Sequence, residues 1–361
     1  MSMFFGAIIF LLVAANYYIA KRLHKGVLNK IPFIVILAFL LISAAVTLFG
    51  IAGKVVDFGA YWMGIFAYLV MFFIVAEIVW LFVRLLKVSS DRYWFVAGVV
   101  VLILTAAASG AGIYNAQDID TVTYQVPIGK NDASDMNIVL VSDIHLGAVG
   151  SEDRLSEIVD KINEQKPDIV CIAGDFFDTD YNAVKNPEKA IDEIKRISST
   201  YGVYMCLGNH DAGKTVDKMI DFTQKAGITL LNDEYVIIDD RLVLLGRLDG
   251  NPIGGYGNAR RDSIETVLGD YDKELPVIVM DHNPINIGEY TNEVDLILCG
   301  HTHKGQIFPM SIITDMIFEV DYGYYRRDAN SPHVIVTSGV GYWGLPMRVG
   351  ANCEVVNIKI N

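Results

Sequence analysis

Cysteine is scarce, with four in 361 residues (Cys171, Cys206, Cys299 and Cys353), and no two of them form a CxxC pair. That spacing excludes a zinc ribbon and a disulfide framework, and each cysteine sits in an apolar run that reads as a buried strand. Positive charge is also short. Lysine and arginine total 29 against 42 aspartates and glutamates, a formal net charge of −13. Residues 1–114 hold eight basic residues against three acids, a surplus of five, which leaves −18 on residues 115–361. A region that acidic repels polyanions, so nucleic acid is not expected as a partner. No internal repeat or low-complexity segment occurs, and no obligate protein partner is evident.

Apolar side chains are abundant, at 52% of residues, and concentrate in the first third. Four runs, at about 3–20, 33–53, 62–83 and 94–114, approach or exceed the roughly 18–20 residues a bilayer requires. They predict a four-helix transmembrane section over 1–114. The first run has no basic residue before it and a basic cluster after it, the reverse of a signal peptide, so it reads as a retained anchor. The loop after the first run carries Lys21, Arg22, Lys25 and Lys30, and the loop after the third carries Arg84, Lys87 and Arg92. The middle loop holds only Lys54 and Asp57. The positive-inside rule then puts both basic loops in the cytoplasm and everything after Tyr114 on the extracytoplasmic face of a multi-pass membrane protein. Glu77 lies inside the third run, where a carboxyl is expected to turn into the bundle and find a hydrogen bond.

After a polar linker at 115–124, where strand-like alternation begins at Thr121, the pattern changes. Short apolar runs at 137–141, 168–173, 203–207, 276–280, 295–299 and 334–337 alternate with helical periodicity at 151–165, 187–198 and 214–226. A strand pair turns at Asp239-Asp240. Residues 125–361 are therefore expected to form one α/β domain of the sandwich type.

The polar residues of this domain cluster where its apolar runs end. Asp143 and His145 follow the first run, Asp175 and Asp178 the second, and Asn209, His210 and Asp211 the third. His282 follows the fourth, and His301 and His303 the fifth. Open α/β sheets place ligands at the carboxyl ends of their strands, so these sequence-distant groups can converge on one rim. Five of the seven histidines fall in these motifs, leaving His24 and His333. Aspartate, asparagine and imidazole form a hard-to-borderline O/N set that fits Mn²⁺, Fe or Zn²⁺ better than copper or Ca²⁺.

The segments Asp143-Ile144-His145, Gly174-Asp175-Phe176-Phe177-Asp178, Gly208-Asn209-His210-Asp211, His282 and Gly300-His301-Thr302-His303 resemble the calcineurin-like metallophosphoesterase superfamily, over about residues 125–361. The stretches 305–309 and 341–350 are similar to its bacterial UDP-2,3-diacylglucosamine pyrophosphatase-like branch. The resemblance implies a four-layer αββα sandwich and two divalent metal ions. Asp143, His145 and His303 would hold one, Asn209, His282 and His301 the other, and Asp175 would bridge them. It also implies that His210 acts near the leaving group, oriented by Asp211, with Asp178 behind the ligands. Thr179-Asp180 stand where protein phosphatases of the superfamily carry an arginine, and Phe176-Phe177 where purple acid phosphatases carry a tyrosine. Lys304 replaces a glycine common in relatives.

The expected activity is hydrolysis of a phosphodiester or phosphomonoester, with Mn²⁺ the first choice of metal. Two cations clamp the attacking and leaving oxygens of an in-line displacement. Arg260 and Arg261, in the long stretch 248–262, and Arg348 are candidates for binding the substrate anion. Four spans exceed what a tether needs, which favours a lipid-linked phosphate over a soluble nucleotide or cell-wall ester. The rival readings are a catalytically inactive membrane receptor on the same fold and a transporter with a regulatory domain.

Overall fold

The computed structural model describes residues 2–49, 54–87, 92–129, 135–269 and 271–361, and the chain divides into two compact units. One comprises Met1–Ile113 with Leu345–Met347, the other Tyr114–Gly344 with Arg348–Asn361.

The first unit is helical. Its helices are α1 (Ser2–Lys25), α2 (Phe33–Phe49), α3 (Lys54–Leu85) and α4 (Tyr93–Gln117). Two of them, over Asp57–Leu85 and Tyr93–Gln117, are long and apolar enough to cross a membrane by length and composition, whereas the apolar helix Phe33–Thr47 is shorter. Residues 50–53, expected at the end of the second span, lie outside the described residues. The middle loop is shorter than expected because α3 already begins at Lys54 and takes in Asp57. Ile19, Leu40, Leu69, Phe73 and Val101 pack inside the bundle, while Ile34, Phe39, Ile42, Val75 and Ile103 remain exposed. Helices apolar on both faces suit a lipid surround. Glu77 does find partners: it accepts from the Tyr18 hydroxyl at 3.0 Å and pairs with Arg22, whose guanidinium lies 3.9 Å from the Trp94 ring centroid. Glu77 therefore has the hydrogen-bonded place inside the bundle that was expected of it.

No free linker follows. α4 continues through Gln117 and the first strand, β1 (Ile119–Val126), starts two residues later, because Ile119 and Val126 find buried places against the sheet. The second unit has two six-stranded sheets. The first runs in the order β1, β12 (Cys353–Ile360), β2 (Asn137–Val141), β3 (Ile169–Ala173), β4 (Val203–Cys206), β5 (Thr229–Leu230). The second runs β10 (Gly323–Tyr325), β11 (His333–Val336), β9 (Leu296–Cys299), β8 (Val277–Met280), β7 (Leu242–Gly246), β6 (Glu234–Ile238).

Side-chain alternation assigns the layers. In β2, Ile138 and Leu140 join the core between the sheets with Leu244, Ile278, Met280 and Leu298. Val139 and Val141 point the other way, into a cluster with Leu155, Ile158 and Ile162 of α5 (Ser151–Glu164), Ile194 of α6 (Pro187–Ile194) and Phe222 of α7 (Val216–Lys225). The second sheet's outer face packs on Ile264 and Leu268 of α8 (Ile264–Leu268) and on Ile287. The arrangement is helix, sheet, sheet, helix. Strands buried on both faces must be apolar throughout, which is why they read as uninterrupted runs. Between Glu234–Ile238 and Leu242–Gly246, Asp239 and Asp240 both have φ 52°, the left-handed pair that a tight hairpin demands. Two helices, α8 and α9 (Met310–Ile317), were not expected from the sequence pattern.

β1 lies at the sheet edge and pairs with β12 in parallel, Ile119 opposite Cys353 through Val126 opposite Ile360. A chain beginning at Gln117 should unfold in one cooperative urea transition. One beginning at Ile128 exposes the β12 edge and should lose several degrees of melting temperature or aggregate, measurable by circular dichroism and light scattering.

Candidate metal centre

The parallel strands β2, β3 and β4 of one sheet and β8 and β9 of the other end at a common rim. The chain must turn sharply there, and it does so in the left-handed region: φ is 57° at Asp143, 49° at His145, 52° at Asp175, 71° at His301 and 50° at His303. For residues with a β-carbon this costs about 1–3 kcal/mol each, and such positions persist only where surroundings over-determine them. Here loop-to-loop bonds do so: Asp143 N–H donates to Gly174 O at 3.1 Å, His145 N–H to Asp175 O at 3.1 Å and His301 N–H to Asp143 Oδ2 at 3.1 Å. Gly208 permits the closest approach, since a β-carbon there would lie 2.3 Å from Asp175 Oδ1.

Two groups of ligand atoms gather the expected ligands, and a third, of His145, Asp178 and His210, shares His145 with the first. In the first, His303 Nε2 lies 3.3 Å from Asp143 Oδ1 and 3.1 Å from His145 Nε2. In the second, His282 Nε2 lies 3.0 Å from Asp175 Oδ2, 3.2 Å from Asn209 Oδ1 and 3.3 Å from His301 Nδ1. Asn209 Oδ1 is 2.8 Å from His301 Nδ1. Asp175 Oδ2 also sits 3.9 Å from His145 Nε2, so one carboxylate oxygen faces both groups.

The donor set tests whether cations belong here. His282 Nδ1 donates to Ala173 O at 2.8 Å, which leaves the lone pair of Nε2 directed at a carboxylate, an amide oxygen and another imidazole. Lone pairs converging without a donor repel unless a cation lies between them. Without one, burial opposes charge on His282 but Asp175 outweighs it and drives its pKa well above the ordinary value. Burial and His282 hold His301 down at about 4, and burial, His145 and Arg348 hold His303 well below its usual range. Burial works against Asp175 too, yet the surrounding histidines keep it ionised. His303 is the least conventional member, because its Nδ1 lies 3.2 Å from Arg348 Nη2. To offer an Nε2 lone pair His303 must carry its proton on Nδ1, facing that guanidinium, which retains the Gly339, Gly341 and Asn352 carbonyls as acceptors. The residues fit a pair of divalent cations.

The family profile described as Calcineurin-like phosphoesterase matches residues 136–305. A protein named uncharacterized metallophosphoesterase from Aquifex aeolicus is 34% identical over 230 residues, covering 63% of this chain and 85% of its own length. The chain belongs to the calcineurin-like metallophosphoesterases. These are metal-dependent phosphoric ester hydrolases, and membership implies two divalent metal ions. A Campylobacter jejuni protein, uncharacterized metallophosphoesterase Cj0846, is 28% identical and matches 96% of this chain and 95% of its own. A Danio rerio protein named transmembrane protein with metallophosphoesterase domain is 30% identical over 277 residues, 73% of this chain. The chain spans 62% of that relative's length and 60% of two others.

Around the metallophosphoesterase centre several expected roles change. Asp211 does not orient His210. Its oxygens accept the N–H groups of Phe176 at 3.1 Å, Phe177 at 2.8 Å and Gly208 at 3.0 Å, which ties the Asp175 loop to the Asn209 loop. Burial and Asp175 push its carboxyl up to about 7, against the pull of those three donors. The side-chain partner of His210 is Thr179, whose Oγ1 lies 2.5 Å from Nδ1, and burial lowers the pKa of that imidazole. Thr179 was missed because a threonine beside an aspartate pair carries no motif. Asp178 Oδ1 lies 3.4 Å from His145 Nδ1, close enough for attraction without a formed hydrogen bond.

Two of the three candidate anion-binding arginines are fully engaged, and the third bonds within its own loop through Nη1 alone. Arg348 is fully buried and donates to main-chain carbonyls. Arg261 is held by Asp281 at 2.6 Å and Glu289 at 2.7 Å, bracing the residue before His282. Arg260 is exposed and bonds to Gly257 O and Ala259 O of its own loop. Buried or loop-bound guanidiniums read the same as free ones in sequence. Lys304 turns its ammonium to 4.0 Å from the Tyr322 ring centroid.

Asp175→Asn removes the charge shared by both groups and should lower kcat by at least about a hundredfold. If Asp178→Asn proved worse, the shared carboxylate would be misassigned. Thr179→Val keeps the volume but frees the imidazole, and should lower kcat about tenfold with metal content unchanged by elemental analysis. Asp211→Asn should instead lower the melting temperature, since it unties two loops.

Proposed function

We propose that the chain is a membrane-anchored hydrolase of a phosphoric diester or monoester. Asp143, His145 and His303 would hold one divalent cation and Asn209, His282 and His301 the other, with Asp175 facing both groups. The observation that carries this reading is Asp175 Oδ2, which faces an imidazole of each group at 3.0 and 3.9 Å. When bound, the two cations supply charge to the phosphoryl oxygens and activate water. The residues do the rest. His210, braced by Thr179 and kept neutral by burial, would donate a hydrogen bond from its ring N–H to the departing oxygen. The complete ligand set favours an enzyme over an inactive receptor on the same fold.

The domain plan is a transmembrane section over 1–114 that crosses four times and a catalytic domain over 125–361. The basic loops after the first and third spans support an extracytoplasmic catalytic domain. A lipid-linked phosphoester in the outer leaflet is then the leading substrate, ahead of a soluble nucleotide or cell-wall phosphodiester. The likeness to the UDP-2,3-diacylglucosamine pyrophosphatase branch would need a cytoplasmic site, because such precursors face the cytoplasm. Mn²⁺ suits the imidazole-rich ligand set better than Mg²⁺, which prefers oxygen.

Purified full-length protein assayed on lipid-borne and soluble phosphoesters tests the activity. Chelation should abolish it and Mn²⁺ should restore it better than Mg²⁺; full activity in Mg²⁺ alone would count against the metal choice. All four native cysteines are buried, so single cysteines can be read without background. One at exposed Lys189 should react with an impermeant reagent on intact cells, and one at exposed Lys25 should not. The reverse labelling would move the site to the cytoplasm and favour a UDP-lipid.

A further inference from the structure

Immediately after His303 the chain makes a helix that is built inside out. In α9 no residue is buried. Its inward positions are polar: Thr314 Oγ1 donates to Asp321 Oδ2 at 2.7 Å, and Ser311 packs so tightly on Gly305 that a β-carbon there would lie 2.2 Å from Ser311 N. Its outward positions are apolar. Ile312, Ile313, Met316 and Ile317 fall on one face at helical spacing, with Met310 and Phe308 beside them, and all six are exposed, Met316 at 79%. Asp315 is the only charge between Phe308 and Ile317, in a region that is otherwise strongly acidic. Soluble domains bury such a face, and an exposed apolar patch beside a catalytic centre marks an interaction surface. The patch is coupled to that centre: Phe318, which follows α9, meets His301 edge-on with ring centroids 6.0 Å apart, and Thr302 donates to Asp321 O at 2.6 Å.

We infer that α9 and Phe308 insert into the lipid surface and dock the catalytic unit on the bilayer. This rests on the membrane-anchored reading above, and not on the identity of the substrate. A second copy of the chain is a poor occupant. An eight-residue helix is about 12 Å long and about 10 Å across, far short of the roughly 800 Å² each partner gives to a stable interface. A bilayer needs no such area, because the candidate span Tyr93–Gln117 already supplies the attachment and only Asp118 separates it from β1. A short interfacial element then has merely to orient what is tethered.

The test uses full-length protein reconstituted in vesicles of phosphatidylcholine and phosphatidylglycerol. An environment-sensitive fluorophore on Met316→Cys should be quenched by spin-labelled lipid and about tenfold less by aqueous iodide than the same probe on Asp240→Cys. Equal iodide quenching at both sites, without lipid quenching, overturns the proposal. So does shielding from iodide without lipid quenching in a protein that crosslinks as a dimer. The double substitution Ile313→Glu with Ile317→Glu should abolish lipid quenching of the Met316→Cys probe, with the melting temperature and the rate on a soluble phosphodiester unchanged. On a vesicle-borne phosphoester it should raise KM about tenfold. If the probe inserts but no vesicle-borne ester is affected, the docking surface stands and the lipid-substrate reading falls.

Discussion

The rim of this fold is organised by the carboxylate of Asp175, a single negative charge facing imidazoles from both ligand groups. Buried charge is tolerable only when it is matched. Oδ1 is matched by the N–H of His210 at 2.7 Å, while Oδ2 faces His282 and His145. One oxygen thus fixes the third loop by a charge-assisted hydrogen bond, and the other faces an imidazole of each ligand group. The loops after β2, β3, β4, β8 and β9 are arranged around that division of labour.

Holding five ligand residues at positive φ is costly, and the cost is spread over the whole domain. Two sheets clamp the loops from either side, and Asp211 stitches two of the loops together through three main-chain donors. Arg348 and Arg261 do similar work from behind His303 and His282. Removing any of these braces would leave the ligands present but no longer pre-positioned, and a metal site loses affinity when its supporting partners go.

The sheet strands and ligand motifs were legible because they rest on local chemistry. Val139-Leu140-Val141 is apolar whichever way it faces, and Asp143-Ile-His145 after it reads as a strand end. What was not legible depended on tertiary partners. Asp211 follows His210 in sequence, but its geometry points to the Phe176-Phe177 main chain. Thr179 is ordinary until folding brings it to His210. The arginines at 261 and 348 looked like anion-binding groups because sequence does not show which carbonyls or carboxylates absorb their donors. α9 was hidden by its reversed polarity, since periodicity rules assume that the apolar face turns inward.

Cys206 and Cys299 end the strands that lead to Asn209 and to His301, only a few residues from ligand positions. Sulfur anions would bind Zn²⁺ or copper far more avidly than oxygen does. Burial raises both thiols well above their ordinary range, with Asp281 adding to the effect, so they stay protonated. Both sulfurs stay buried in the strands, and the ligand atoms gathered at the rim are those of carboxylate, amide and imidazole.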